Sequence, residues 1–305
     1  MARIKDFDGL LELAREMARG RPPWRIAVSS AEDDSSLAAL ERARKMGLVE
    51  GILVGERAAI LEIMGRLKLD PSAYTIVDVS GLDEKARAAV SLVRSGEADI
   101  LMKGMTPTSI FLHPIFDREA GLSTGNFISH TGVLQVPGFD RLIIQTDGGI
   151  NILPTLEQKK GIIMNSVFVA HLLGIERPKV ALLSATETVH PKISSTVEAR
   201  ELALWAKDAV PDADVDGPLA LDIAISPEAA ERKGRGGEVA GQADVLVAAN
   251  IEMGNAIYKA LRHFAHAEGA GIVVGAACPV ILTSRSDPPQ EKLNSFALAV
   301  LYAGR

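Results

Sequence analysis

Short apolar, β-branched runs alternate with longer segments of helical periodicity along most of the chain. The runs predict strands, and the segments between them, in which apolar side chains recur every three or four residues, predict helices. This alternation requires crossover connections, so it predicts an α/β fold with mostly parallel sheets. The predicted strands are RIAVSS (25–30), GILVGE (51–56), YTIVDVS (74–80), ADILMKG (98–104), RLIIQTDGG (141–149), PKVALLSAT (178–186) and ADVLVAAN (243–250).

Residues 106–138 interrupt this rhythm with glycines, prolines and polar side chains, as expected of a ligand-facing excursion. A chain of 305 residues also exceeds the usual size of one domain. We therefore predict a first α/β domain at 1–138, completed by the C-terminal strand and helix 276–305, and a second α/β domain at 139–275.

Composition narrows the class of protein. A formal net charge of -6 and 4% aromatic residues argue against nucleic acid as the main partner. The one cysteine, Cys278, lies in an apolar run and is expected in the core, and a single cysteine excludes intrachain disulfides and multi-cysteine metal sites. The N-terminus predicts an amphipathic helix, and no stretch is an unbroken apolar span. We expect a cytoplasmic enzyme that does not bind a membrane.

Residues 280–292, VILTSRSDPPQEK, carry the clearest chemistry. A strand there runs into a helix that Asp287 could cap, with Pro288 at its first position. Ser284 and Arg285 precede that helix N-terminus, which favours an anion, and Glu291 follows one turn later. These side chains could converge on a phosphorylated substrate. They could equally form a capped helix with an arginine salt bridge.

Other candidates are weaker by themselves. Lys103 ends a strand, and GNAIYK places Asn255 and Lys259 at the start of a predicted helix. Either lysine could approach a phosphate, or each could be an ordinary solvated side chain. Glu187 lies just after a strand and could line a cleft. The histidines lack the spacing of a metal site, so no metal is predicted.

The chain resembles the phosphate acetyltransferase/phosphate butyryltransferase family, and is closer to the butyryl branch. The resemblance covers nearly all of the chain from about residue 25. It is carried by ILMKG, FISHTGVLQV, IIQTDGGINILPTLEQK, PKVALLSATETVHPKISST, DGPLALDIAIS, VAGQADVLVAANIEMGNAIYK and PVILTSRSD, in that order.

This resemblance implies two α/β domains with mostly parallel sheets facing each other across an active-site cleft, similar to isocitrate/isopropylmalate dehydrogenases. It also implies a homodimer or higher homo-oligomer. The reaction would be reversible transfer of a short acyl group, butyryl-like or acetyl, between CoA and phosphate in a ternary complex, with no bound cofactor.

In that reaction Glu291 would deprotonate the CoA thiol, Arg285 would hold phosphate, and Ser284 would bond to the developing charge. The expected substrate-binding residues are Lys103, Thr106, Ser129, His130, Asp147, Glu187, Asn255 and Lys259.

The sequence departs from the acetyl branch in three places. That branch has an aspartate where this chain has Glu291, which makes Asp287 a competing base. It also has a CoA-binding arginine where this chain has His113, and a Ser-Ser pair where this chain has Ser129-His130.

Three other functions remain open. One is an acyltransferase that uses acyl carrier protein, which would need an apolar tunnel and a basic docking face. Another is an NAD(P)-dependent decarboxylating dehydrogenase, which would need clustered aspartates for a metal. The third is a non-catalytic CoA-binding protein, which need not keep Ser284, Arg285 and Glu291 together.

Overall fold

A computed structural model describes residues 2–284 and 287–305. They form two compact units. The terminal unit contains Phe7–Asn126 and Ala270–Arg305, and the central unit contains residues 2–6 and Phe127–Gly269.

The chain crosses between these units at 6/7, at 126/127 and at 269/270. The sequence analysis divided it instead at 138/139 and at 275/276, and that division stays a prediction. The C-terminal strand and helix belong to the same unit as most of the first half of the chain.

The terminal unit has helices on a mostly parallel sheet with strand order β3-β2-β1-β4-β11-β10. Strands β1 to β4 and β11 run parallel, and β10 is antiparallel to β11. Its elements are α1 (Phe7–Ala18), β1 (Trp24–Ser29), α2 (Asp34–Lys45), β2 (Val49–Gly55), α3 (Arg57–Leu67), a 3-10 turn (Pro71–Ala73), β3 (Thr75–Asp78), α4 (Leu82–Arg94), β4 (Ile100–Lys103), α5 (Thr108–Ile115), β10 (Glu268–Val274), β11 (Val280–Ile281) and α11 (Pro289–Ala303).

The central unit has strand order β5-β6-β9-β7-β8, in which only β5 is antiparallel to its neighbour. Its elements are β5 (Ser129–Gln135), β6 (Leu142–Thr146), α6 (Leu156–Leu172), β7 (Lys179–Leu183), α7 (Ser194–Ala209), β8 (Asp214–Leu219), α8 (Leu221–Ile225), α9 (Pro227–Arg232), β9 (Val245–Val247) and α10 (Ile251–Phe264). The predicted α/β class is confirmed.

The segment 106–138 is more regular than its composition predicted, because it contains α5 and β5. Helix α5 has eight residues, with Pro114 in its last turn, so it shows little periodicity. Strand β5 reads SHTGVLQ, in which small and polar residues hide the strand pattern. Neither element therefore shows a clear periodic pattern in the sequence.

Helix α11 is an interior helix. Every residue from Leu293 to Leu301 is at most 2% exposed, so the helix is buried on all sides. Its direction is therefore set by packing, and its first turn bonds to the start of α2 through Lys292 and Asp33 within the terminal unit. No helix in residues 2–284 and 287–305 is both long and apolar enough to cross a bilayer.

Candidate active site

The carboxyl ends of β1 and β4 are joined closely at one edge of the terminal unit. The Gly104 N–H donates to the Ser29 carbonyl at 2.8 Å, and the Met105 N–H donates to the Ser30 carbonyl at 2.9 Å. A Cβ at Gly104 would lie 2.2 Å from the Ser30 oxygen, so no side chain fits there. The backbone beyond β4 is thus held directly against the end of β1.

Ser30 itself has φ +54°, which is the left-handed region. A residue with a side chain adopts it at a cost of about 1–2 kcal/mol. Such strained positions concentrate at functional sites, where the surrounding structure holds them in place. The bonded Gly104–Met105 segment supplies that support here.

Four hydroxyls at this edge are buried without a partner. Within residues 2–284 and 287–305, no hydrogen-bond partner reaches the oxygens of Ser29, Ser30, Thr106 and Thr283, which are at most 6% exposed. Thr283 follows β11, which pairs with β4. An unsatisfied buried polar group costs about 1–3 kcal/mol, so four at one edge form a donor set suited to an anionic ligand.

Lys103 adds a cation to these hydroxyls. The residue is 3% exposed, and its Nζ lies 3.3 Å from the Gly104 carbonyl and 3.4 Å from the Thr106 carbonyl. The reading of Lys103 as a solvated strand-end lysine is therefore wrong. Its ammonium is buried at the same carboxyl edge of the sheet as the four hydroxyls.

The start of α11 corrects one detail of the sequence analysis. The helix begins at Pro289 with Pro288 as N-cap, so Asp287 does not cap it. The Asp287 carboxylate instead accepts the Ser284 N–H at 2.7 Å and closes the preceding turn. Pro288 and Pro289 both lack an N–H, so the start of this helix has fewer free donors than usual.

Glu291 lies in the first turn of α11 and is 5% exposed. Ser284 and Asp287 are thus joined by a hydrogen bond between β11 and α11, and Glu291 follows in the first turn of α11. Arg285 lies outside the described residues, so its predicted role rests on the resemblance alone.

In the central unit, the predicted residues gather around a turn that Asp147 organises. Both oxygens of its carboxylate are engaged. One accepts the N–H groups of Gly149 (2.8 Å) and Ile150 (2.9 Å). The other accepts the His130 N–H (3.0 Å) and the Asn151 amide (2.7 Å). At 3% exposure, this carboxylate is satisfied within its own unit.

Ser129 and Asn255 also bond within the central unit. The Ser129 hydroxyl accepts a hydrogen bond from the Asn165 amide at 2.8 Å, and the Asn255 amide donates to the Gly148 carbonyl at 3.1 Å. Helix α10 begins at Ile251, earlier than predicted, because Asn250 caps it through the Met253 N–H. Asn255 is consequently on the second turn and faces the Asp147 turn.

Two predicted residues are not joined to this group by a described contact. Lys259 is exposed, one turn beyond Asn255 on α10. Glu187 is half-buried and follows β7, which is separated from β6 by β9. Both stay predictions.

The sequence analysis left Ser29, Ser30 and Thr283 out of the candidate site. The available signal was their position at the carboxyl ends of strands, since Ser29 ends β1, Ser30 follows it and Thr283 lies two residues after β11. Serine and threonine are common at strand ends, however, and only the structure distinguishes hydroxyls with partners from those without.

Potential metal ligands and the single cysteine also bear on the chemistry of the chain. In the part of the chain that the structure describes, no three His, Cys, Asp or Glu side chains are placed to hold a metal ion. Cys278 is buried, as predicted, and burial raises the pKa of its thiol to about 12. Its thiolate is therefore scarce at neutral pH.

Comparisons with known proteins agree with one another. The family described as "Phosphate acetyl/butaryl transferase" matches residues 79–300. Phosphate butyryltransferase from Clostridium beijerinckii is 43% identical over 302 residues, covering 99% of both chains. Phosphate acetyltransferase from Rhizobium meliloti is 40% identical over 305 residues, covering 100% of this chain and 95% of the relative.

A solved structure supports the same family. The crystal structure of a branched-chain phosphotransacylase from Enterococcus faecalis V583 has TM-score 0.81 and 34% identity, covering 92% of this chain and 99% of that one. Matches in sequence and in structure extend over nearly the full length. The chain belongs to the phosphate acetyl/butyryl transferase family, and it is an acyltransferase.

Proposed function

We propose that this chain transfers a short-chain acyl group reversibly between CoA and inorganic phosphate, and that it binds the phosphoryl group at the carboxyl edge of the terminal unit. The observation that carries the proposal is the set of four buried hydroxyls without described partners beside the buried Lys103. Hydroxyl and ammonium donors suit the oxygens of a phosphate. Family membership supplies the reaction class.

In the direction of acyl-CoA synthesis, the carboxylate of Glu291 takes the proton of the CoA thiol. The thiolate then attacks the carbonyl carbon of the acyl phosphate. The carbon–oxygen bond to phosphate breaks, and phosphate leaves with the electron pair. A positioned general base contributes about 10²- to 10⁴-fold to such a step.

The donors at the strand edge would stabilise charge as it develops. Ser284 bonds to the carbonyl oxygen, and Arg285 holds the phosphoryl group, a role that rests on the resemblance. Lys103 and the four hydroxyls complete the contacts to phosphate. Because they are fixed before the substrate arrives, they reorganise little during the reaction.

The contacts of Asp287 favour Glu291 as the base. One oxygen of the Asp287 carboxylate holds the Ser284 N–H. Protonation of Asp287 in each turnover would weaken the turn that positions Ser284. Glu291 sits beyond this turn on a rigid, interior helix.

CoA and phosphate fit the family as substrates. We further propose that the enzyme has no bound cofactor, that it forms a homodimer or higher homo-oligomer, and that it is cytoplasmic. A butyryl-like acyl group is favoured by the names of the relatives, among them the phosphate butyryltransferase from Clostridium beijerinckii.

The test is release of CoA from acetyl-, propionyl-, butyryl- and valeryl-CoA, followed with a thiol reagent, with phosphate or with chloride at equal ionic strength. The buried Cys278 thiol contributes little background. We expect release that requires phosphate and is fastest with butyryl-CoA. Release without phosphate would indicate a thioester hydrolase, and no release with a folded protein would refute the proposal.

A further inference from the structure

We infer that Lys292 is a positioning residue for the acyl transfer, because its buried ion pair with Asp33 fixes the direction in which α11 presents Glu291. The inference rests on the proposed function, in which Glu291 is the base. It concerns two side chains that neither the reaction nor the strand edge uses.

The ammonium of Lys292 is surrounded by acceptors that all come from one short segment of the chain. It is 2% exposed and donates to the Asp33 carboxylate at 2.6 Å and to the Ser36 hydroxyl at 3.0 Å. It also donates to the hydroxyl of Ser35. An ammonium has three N–H donors, so all three are used.

All three acceptors belong to the N-terminus of α2. Asp33 is the N-cap of that helix and accepts the backbone N–H groups of Ser35 and Ser36. Burial raises the pKa of Asp33, but hydrogen bonds from Lys292 and Ser36 outweigh it, so the pKa lies below its usual value. The cap and the ion pair therefore hold one carboxylate from two sides.

A buried pair of this kind is sensitive to geometry. Removing one partner of a buried pair leaves a charge without compensation, which strongly disfavours the folded arrangement. Lys292 must therefore keep its reach to Asp33 as α11 packs. This fixes both the rotation of α11 about its axis and the height of its first turn above α2.

The fixed position of Lys292 also sets the position of Glu291, the residue before it. Consecutive side chains project about 100° apart around a helix, so a fixed Lys292 determines the direction of Glu291. A second tether acts on the same residue, since the Ser295 hydroxyl donates to the Glu291 carbonyl at 2.9 Å and accepts the Gly271 N–H at 3.0 Å. The first turn of α11 is thus held to α2 on one side and to β10 on another.

The test compares kcat, KM for phosphate and melting temperature in three variants. Lys292→Met should lower kcat about 30-fold or more while KM for phosphate changes by less than about threefold, because misplacement of a reacting group by about 1 Å can cost 10²-fold. Lys292→Met combined with Asp33→Asn removes both charges, and should regain melting temperature without regaining kcat.

Ser36→Ala is the mild variant and folds whatever the others do. It should lower kcat about threefold with a small change in melting temperature, because it removes the hydroxyl that accepts from Lys292 and donates to Asp33 but leaves the ion pair itself in place. The matched control is Glu41→Gln, which removes a buried carboxylate near the other end of α2. It should lose stability and keep kcat.

The inference is overturned if a folded Lys292→Met, the double variant or Ser36→Ala keeps the wild-type kcat. It is also overturned if Glu41→Gln loses as much kcat as Lys292→Met, because general loosening of α2 would then be the cause. A wild-type protein that shows no phosphate-dependent CoA release would instead refute the proposed function.

Discussion

The strand edge of the terminal unit and the Asp147 turn of the central unit treat their buried polar groups in opposite ways. At the Asp147 turn, one carboxylate is met by four donors from its own unit. At the strand edge, four hydroxyls lack a partner among the residues that the structure describes. Each place contains a predicted site residue, Thr106 at the strand edge and Asp147 at the turn, and both residues are buried.

The difference separates structural polar groups from those that await a ligand. A satisfied buried network stabilises the fold, whereas unsatisfied groups cost free energy that only a ligand or water can return. We therefore expect substitutions at the Asp147 turn to change the free energy of unfolding. Substitutions at the strand edge should change turnover and phosphate binding.

The two buried carboxylates, Glu291 and Asp147, give the largest expected contrast in activity. Glu291→Gln should lower kcat about 10³-fold with a small change in melting temperature, because it removes the base and keeps the shape. Asp287→Asn is the control and should lose much less, measured as CoA release at saturating butyryl-CoA and phosphate. A crippled Asp287→Asn beside an active Glu291→Gln would reverse the assignment of the base.

Asp147→Ala should show the opposite effect. The change leaves four donors without their acceptor, so the free energy of unfolding, measured by urea denaturation, should fall by about 3 kcal/mol or more. Activity per folded molecule should fall less than in Glu291→Gln. Wild-type stability with lost phosphate binding would contradict the structural role and would favour Asp147 as a substrate contact.

Thr106→Val and Thr283→Val test the hydroxyls with almost no change in volume. Each should raise KM for phosphate about tenfold, since one hydrogen bond to a charged group is worth about 1.5–3 kcal/mol. Stability should stay the same or rise, because an unsatisfied group is removed. A clear loss of stability with unchanged KM would show that the hydroxyls serve the fold.

Gln145 is an exception to the pattern of satisfied polar groups in the central unit. It lies in the central unit at 1% exposure, and neither its amide nitrogen nor its oxygen has a partner in the described chain. A Cβ at Gly254 would lie 2.9 Å from that nitrogen, which places the amide under α10. By the same reasoning, Gln145→Met should lower kcat/KM about fivefold and keep stability. Unchanged kcat/KM would limit the comparison to the strand edge.

The sequence predicted the fold where the patterns are local. The apolar runs that became β1, β2, β4, β6 and β7 are readable from a few neighbouring residues, and so is the position of Lys103 at a strand end. The placement of Ser284 and Glu291 around the start of α11 follows from the two prolines. In each case the determining interaction lies within a turn or two of chain.

The rest depends on distant partners. Asp287 was assigned to the helix cap because the turn that it closes on Ser284 was not considered. The pair of Asp33 and Lys292 joins residues 259 positions apart, and no spacing rule indicates it. Ser29 and Thr283 lack a partner among the residues that the structure describes, and this is a property of the packed structure alone.

The most direct test of the account is the shift in melting temperature that phosphate causes in wild type and in Thr283→Val. Phosphate that binds the native state at ten times its Kd stabilises it by about 1.4 kcal/mol, so wild type should melt at a higher temperature with phosphate than with chloride. We expect the shift to shrink in Thr283→Val and to persist in Glu41→Gln. An equal shift in all three proteins would show that phosphate does not bind the hydroxyls of the strand edge.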